Sequence, residues 1–272
     1  MMRSTFVGGG NMASAMVGGL LARGERAADI AIVEPLPPQR EKLAARFPGV
    51  GVHAAVGEGA LPGADIVVLA VKPQQMQDAA RQLSPFIGVV PLVLTIAAGV
   101  RCADLSGWLG GYDRIVRAMP NTPALIGAGI SGLYATPPAR PNAAAAVRVL
   151  EACGEVILCE HESDLDAVTG VSGSGPAYVF YFLEALEQAA KDLGLAAGDA
   201  RKLAYATFAG SIALAQQSPE PPATLRANVT SRGGTTARAL DVLDAAQVNL
   251  HFIAAVKAAA ARARELGDEI AR

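Results

Sequence analysis

A β-branched run passes directly into a glycine cluster and then a helical pattern: Phe6-Val7-Gly8-Gly9-Gly10-Asn11-Met12-Ala13. The spacing is G-x-G-x-x-A at a strand-to-helix junction, and few architectures accept it. Gly8 permits the tight turn, Gly10 lets a pyrophosphate approach the backbone, and Ala13 is small enough for the helix to pack on the strand. Gly8, Gly10, Asn11, Met12 and Ala13 are therefore expected to hold a dinucleotide. A glycine turn that binds nothing has the same letters, so the surroundings must separate the two readings.

Those surroundings alternate short apolar runs with amphipathic stretches, the pattern of a parallel sheet covered by helices. Strands are expected over 5–7, 30–33, 50–53, 66–70, 92–96, 115–118 and 156–159, with a further one over 130–134. Helices fall over 11–23, 38–47, 74–83, 102–109 and 141–152, each near Gly, Pro, Asn or Asp punctuation. After about residue 160 the β-branched runs stop, and helices follow over 176–193, 200–216, 222–228, 235–245 and 248–266. The domain boundary is expected there. The helix opening Pro176-Ala177-Tyr178-Val179-Phe180-Tyr181-Phe182-Leu183 is apolar on every face until Glu184, yet too short to span a membrane. A helical domain of about 110 residues cannot surround it alone, which points to a partner subunit and a symmetric homodimer.

In an open α/β sheet the ligand lies at the carboxyl ends of the strands. Glu34 ends the second strand, where a carboxylate accepts hydrogen bonds from adenosine ribose hydroxyls and repels a 2′-phosphate. That favours NADH, although Arg40 stands close enough in sequence to swing toward such a phosphate, so NADPH stays open. Ala70, Val71, Lys72 and Pro73 leave the fourth strand, and Ala97, Ala98 and Gly99 leave the fifth. Both segments should border the nicotinamide half. Met119, Pro120 and Asn121 leave the sixth strand in a proline-stiffened turn on the same side.

Far along the chain stands Thr230-Ser231-Arg232-Gly233-Gly234-Thr235-Thr236, just before a helical pattern. Amides without intrahelical partners, the helix dipole and glycines that admit a close ligand make such a place an anion seat. Read alone, a capped helix–helix turn is the better account of it.

The balance of 23 basic against 25 acidic residues, net −2, gives no footprint for nucleic acid or an anionic membrane surface. No apolar run approaches the roughly 20 residues of a membrane helix, and the start lacks a secretory apolar stretch, so the expected location is the cytoplasm. Cys102, Cys153 and Cys159 lack C-x-x-C spacing and read as reduced thiols. With His53, His161 and His251 scattered, no metal site is expected.

Taken together, the motifs resemble the pyrroline-5-carboxylate reductase family along essentially the whole chain. The resemblance rests on the first glycine junction, Ala70-Val71-Lys72-Pro73, Ile96-Ala97-Ala98-Gly99-Val100, Arg117-Ala118-Met119-Pro120-Asn121-Thr122-Pro123, Ser172-Gly173-Ser174-Gly175-Pro176-Ala177-Tyr178 and Val229-Thr230-Ser231-Arg232-Gly233-Gly234-Thr235-Thr236. Many dehydrogenases share the first, whereas the last three together are specific. The resemblance implies an α/β fold class, with a Rossmann-like dinucleotide-binding domain over 1–161 followed by an all-α dimerisation domain over 162–272. It also implies homodimers that often assemble into homodecamers, and reduction of 1-pyrroline-5-carboxylate to L-proline with NADPH or NADH. In similar enzymes the substrate carboxylate sits on the amides of Gly233, Gly234 and Thr235, and Thr236 hydrogen-bonds the ring nitrogen as the one catalytic candidate. Ser231 and Ser174 complete the implied substrate contacts. Arg232 stands where proline is common and adds a carboxylate contact. Glu34-Pro35 stands where many relatives carry a polar or basic pair, which sets the frequent NADPH preference against this chain.

Two rivals share the plan. β-Hydroxyacid dehydrogenases typically place a catalytic Lys four residues before an Asn, but here Lys191, Lys202 and Lys257 precede Leu195, Ala206 and Ala261 at that spacing. A non-catalytic dinucleotide sensor on the same fold is the other.

Overall fold

The computed structural model describes residues 2–57, 59–61 and 63–270; the outermost residues of the two expected domains, 1 and 271–272, lie outside it. Eight strands form one sheet: β1 (Ser4–Val7), β2 (Ile30–Val33), β3 (Gly51–His53), β4 (Ile66–Leu69), β5 (Val93–Thr95), β6 (Ile115–Met119), β7 (Gly129–Ala135) and β8 (Gly154–Leu158). Their order is β3-β2-β1-β4-β5-β6-β7-β8. The chain starts in the middle of the sheet, runs to one edge, and returns past β1 to build the other. That reversal between β1 and β4 is the switch point at which doubly wound sheets bind ligands.

Side chains alternate across the sheet with period two, so each strand feeds two cores. Phe6, Ile66, Val68, Leu92, Leu94 and Val116 face one side, packed under α1 (Asn11–Ala22), α2 (Pro37–Arg46) and α5 (Ala143–Glu151). Val7, Val67, Leu69, Val93 and Ile115 face the other, under α3 (Met76–Leu83) and α4 (Cys102–Trp108).

The sheet departs from the all-parallel expectation in one place. β7 runs antiparallel to β6, Arg117 opposite Tyr134, and β8 then pairs parallel with β7. The connection from Met119 to Gly129 holds only the short 3-10 turn Thr122–Ile126, too brief for the crossover that a parallel neighbour requires.

Helices follow β8: α6 (Asp164–Val168), a π-helical turn (Thr169–Gly173), α7 (Gly175–Asp192), α8 (Ala197–Gln217), α9 (Pro222–Asn228), α10 (Thr235–Ala245) and α11 (Val248–Ile270). The π turn, α6 and the last turn of α11 had no separate signal in the sequence. Two compact units result, Met1–Ser174 with Ala258–Arg272, and Gly175–Lys257. This division departs from the expected 161/162 boundary because residues on both sides of the second unit are tied to the sheet. Leu165 and Val168 pack over Gly132, and Arg101 pairs with Asp268.

Within the helical unit only Leu183, Ala200 and Ala204 are buried. The helix expected to be covered on all sides has Val179, Phe180 and Tyr181 exposed in the single chain.

Candidate active site

Strands β1, β2 and β4 end level, Val7 opposite both Val33 and Leu69. Gly8, Glu34 and Ala70 therefore stand in one row at the carboxyl edge, and the ladder continues into that row. Gly8 N donates to Val33 O and Ala70 N to Val7 O, each at 2.8 Å. Gly8 has φ +102°, and a Cβ there would lie 2.9 Å from Ala70 O and from Val71 Cγ1, so conformation and space both demand glycine.

Gly10 is the N-cap of α1, with no side-chain cap and no acidic residue in the first turn, and the space a Cβ would take is open. The backbone ladder of α1 starts with Ser14 N donating to Gly10 O at 2.9 Å. That leaves the amides of Asn11, Met12 and Ala13 at the positive end of the helix dipole for another acceptor. An open glycine backbone beside free amides fits a dinucleotide pyrophosphate. Ala13 is fully buried against the core and the Met12 side chain packs beside it, so these two reach a ligand through the backbone.

The Glu34 carboxylate, only 8% exposed, is engaged twice: Oε2 accepts from Gly9 N at 3.2 Å and Oε1 from Leu36 N at 3.0 Å. It braces the glycine turn and the entry to α2. Arg40 does not swing outward. Its Nη1 donates to Glu34 O at 3.0 Å and Pro35 O at 2.7 Å, fixing the turn into α2. Gln39, which nothing in the sequence singled out, donates from Nε2 to Gly9 O at 2.9 Å.

Ala70 and Val71 lie half-buried at the same edge, and Lys72 is exposed just before the 3-10 turn that begins at Pro73. Ala97 is buried and Ala98 half-buried, while Gly99 is buried under the last turns of α11. Pro120 is buried, and the Asn121 carboxamide is spent on the fold, accepting from Ile130 N at 3.0 Å. Met119 reaches the π turn, with its Cε 2.7 Å from where a Cβ on Gly173 would stand. Ser174, whose N donates to Thr169 O at 2.9 Å, ends that turn and is the one expected substrate contact in the sheet unit.

Behind this edge lies an ion pair that the sequence did not announce. Arg117 is 6% exposed and donates to Glu162 Oε1 at 3.0 Å; the same oxygen accepts from Cys102 N at 2.8 Å, at the start of α4. Burial first, and the Glu162 charge second, push the Cys102 thiol far above its ordinary range. It stays protonated and unreactive.

The helical unit carries most of the residues expected to meet the substrate. Gly234 is the N-cap of α10 in extended conformation, with no side-chain cap and no acid in the first turn. Gly233 turns the chain at φ +70°, and Gly234 N donates to Ser231 O at 3.0 Å. The backbone ladder of α10 begins with Arg238 N donating to Gly234 O at 3.1 Å. Gly234 has no side chain to offer the first amides of α10, so they carry no side-chain cap. Thr235 and Arg232 are exposed and Thr236 half-buried at this end. Free amides, a helix dipole and a nearby guanidinium suit a small carboxylate, and the Thr236 hydroxyl adds one group that can donate or accept.

Residues 162–266 match the family model described as pyrroline-5-carboxylate reductase dimerisation, and residues 3–99 match the one described as NADP oxidoreductase, coenzyme F420-dependent. A curated pyrroline-5-carboxylate reductase from Pseudomonas aeruginosa is 41% identical over 271 residues, 98% of this chain and of its own. The solved structure of a pyrroline-5-carboxylate reductase from Coxiella burnetii aligns with a TM-score of 0.91 at 38% identity, covering 97% of this chain and 98% of that one. A pyrroline carboxylate reductase from Plasmodium falciparum, solved with NADP bound, aligns with a TM-score of 0.85 at 26% identity over 98% of both chains.

Proposed function

The chain belongs to the pyrroline-5-carboxylate reductase family, and from that premise we propose that it reduces the cyclic imine 1-pyrroline-5-carboxylate to L-proline, the last step of proline biosynthesis, using NAD(P)H. When bound, the reduced nicotinamide supplies the hydride that reaches the C=N carbon. Residues 1–161 serve the cofactor, and residues 162–272, apart from the last turns of α11 that pack on the sheet unit, serve the dimer and the substrate. The pyrophosphate rests on the amides of Gly10, Asn11, Met12 and Ala13. Ala70 to Pro73, Ala97 to Gly99 and Met119 to Asn121 border the nicotinamide half.

The observation that carries the substrate half is the uncapped start of α10. Gly233, Gly234 and Thr235 hold the carboxylate through their amides, with Arg232 adding charge and Ser231 in the same turn. Thr236 then meets the ring nitrogen. An iminium accepts hydride far better than a neutral imine, so the site needs a proton on nitrogen and no strong base. Its rate advantage comes mainly from orientation, worth roughly 7 to 11 kcal/mol in favourable cases. Glu34 gives NADH at least parity with NADPH, because its carboxylate disfavours a 2′-phosphate beside it.

The exposed apolar face of α7 supports a homodimer, and family resemblance extends this to decamers in the cytoplasm. Mixing the protein with NADH or NADPH and the cyclic imine tests the whole reading. Falling nicotinamide absorbance with equimolar proline is expected; steady absorbance would leave a non-catalytic dinucleotide sensor.

A further inference from the structure

The segment that leaves β5 is gripped by the end of the chain. Gly99 has φ +78°, and a Cβ there would lie 2.9 Å from Ile270 Cδ1, 3.5 Å from Leu266 C and 3.6 Å from Gly267 N. The turn 266–270 of α11 thus sits directly on the segment, with Ile270 packed against the core beneath α3 and α4. Two residues on, Arg101 reaches the same turn, donating from Nη2 to Asp268 Oδ1 at 2.6 Å and to Arg264 O at 3.3 Å. Arg264 in turn lies 3.9 Å from Asp166. The contact needs a second glycine: a Cβ on Gly267 would stand 2.9 Å from Arg101 Nε and 3.1 Å from Nη2. A missing side chain on the loop admits Ile270, and a missing side chain on the helix admits Arg101.

We propose that the last turns of α11 clamp the Ala97–Gly99 segment in the position that receives the nicotinamide, with Arg101 and Asp268 as positioning residues. The inference rests on the reading above that this segment borders the cofactor. Arg101 and Asp268 are partly exposed, and such pairs are individually weak. Losing the pair therefore loosens the segment without unfolding the sheet.

Asp268→Ala is expected to raise KM and Kd for NAD(P)H about three- to fivefold, leaving kcat and KM for the imine unchanged, and Asp268→Glu to restore both. Gly267→Ala separates positioning from stability. Ala favours a helix over Gly, so a purely structural role predicts an equal or higher Tm with wild-type kinetics. The clamp predicts an equal or higher Tm together with weakened cofactor binding, because Arg101 must leave Asp268. Fluorescence titration of the reduced cofactor, without imine, reads Kd independently of turnover. Wild-type Kd and KM in both variants overturn the clamp, as does a fall in kcat alone. Wild-type protein that binds neither NADH nor NADPH would instead remove the underlying reading.

Discussion

The sheet unit and the helical unit solve the burial problem in opposite ways. In the sheet unit every central strand is covered on both faces, and residues such as Phe6, Ile66 and Leu94 have no exposed surface. The helical unit has three buried residues, while Phe180 is 62% exposed, Tyr181 70% and Leu214 61%. Apolar surface on that scale marks an interaction face. The first unit buries its core within one chain; the second leaves its apolar face for a partner, and its stability should follow protein concentration.

Paired substitutions would break or sharpen this contrast most. Leu94→Ala in the sheet core should cost about 2–5 kcal/mol, measured by denaturant unfolding, with little dependence on protein concentration. Phe180→Glu should cost about 2–4 kcal/mol of association, seen as monomers by sedimentation and as activity lost on dilution. A Phe180→Glu protein with wild-type mass at every concentration would erase the contrast.

The two helix starts allow a finer test of the same division of labour. Thr236→Ala, in the helical unit, should lower kcat/KM for the imine roughly 10- to 100-fold with wild-type binding of NAD(P)H. Unchanged steady-state kinetics would exclude Thr236 from the site. Glu34→Ser, in the sheet unit, should shift kcat/KM toward NADPH by roughly tenfold, the worth of one removed charge a few ångströms from a phosphate. A strong NADPH preference in the wild type would contradict the role given to Glu34.

The smallest effect is on pH. Burial pushes the Cys153 thiol from 9.0 up to about 11. The unfolded chain therefore releases this proton first as pH rises, and stability should decline between pH 9 and 11 while remaining flat below that window. Cys153→Ala should make the decline shallower in a pH series of denaturant midpoints, with the raised Cys102 thiol supplying what remains.

Much of the sheet unit was legible because its signals are local. Three glycine-junction letters, β-branched runs and their spacing report backbone conformation a few residues at a time. β2, α9 and α10 begin and end where the pattern placed them. The antiparallel β7 was not legible, since strand direction depends on how the connection before it packs. Glu162 was missed for a related reason: nothing near it in sequence announces a partner 45 residues away. Gly99 was read as a cofactor contact from its strand-end position, and only the packed chain brought Ile270 onto it.

By itself the sequence determined where most of the helices and strands form, where a dinucleotide turn and an anion seat can exist, and which family the motifs resemble. These follow from short-range sterics, hydrogen bonding and side-chain period. The tertiary structure alone decided that Glu34 braces the turn it faces, that Arg40 folds back onto the backbone, that α10 starts without a cap, and that the end of the chain closes on Gly99. Each of those depends on which distant atoms compete for the same donor or the same space, and that competition exists only once the chain is packed.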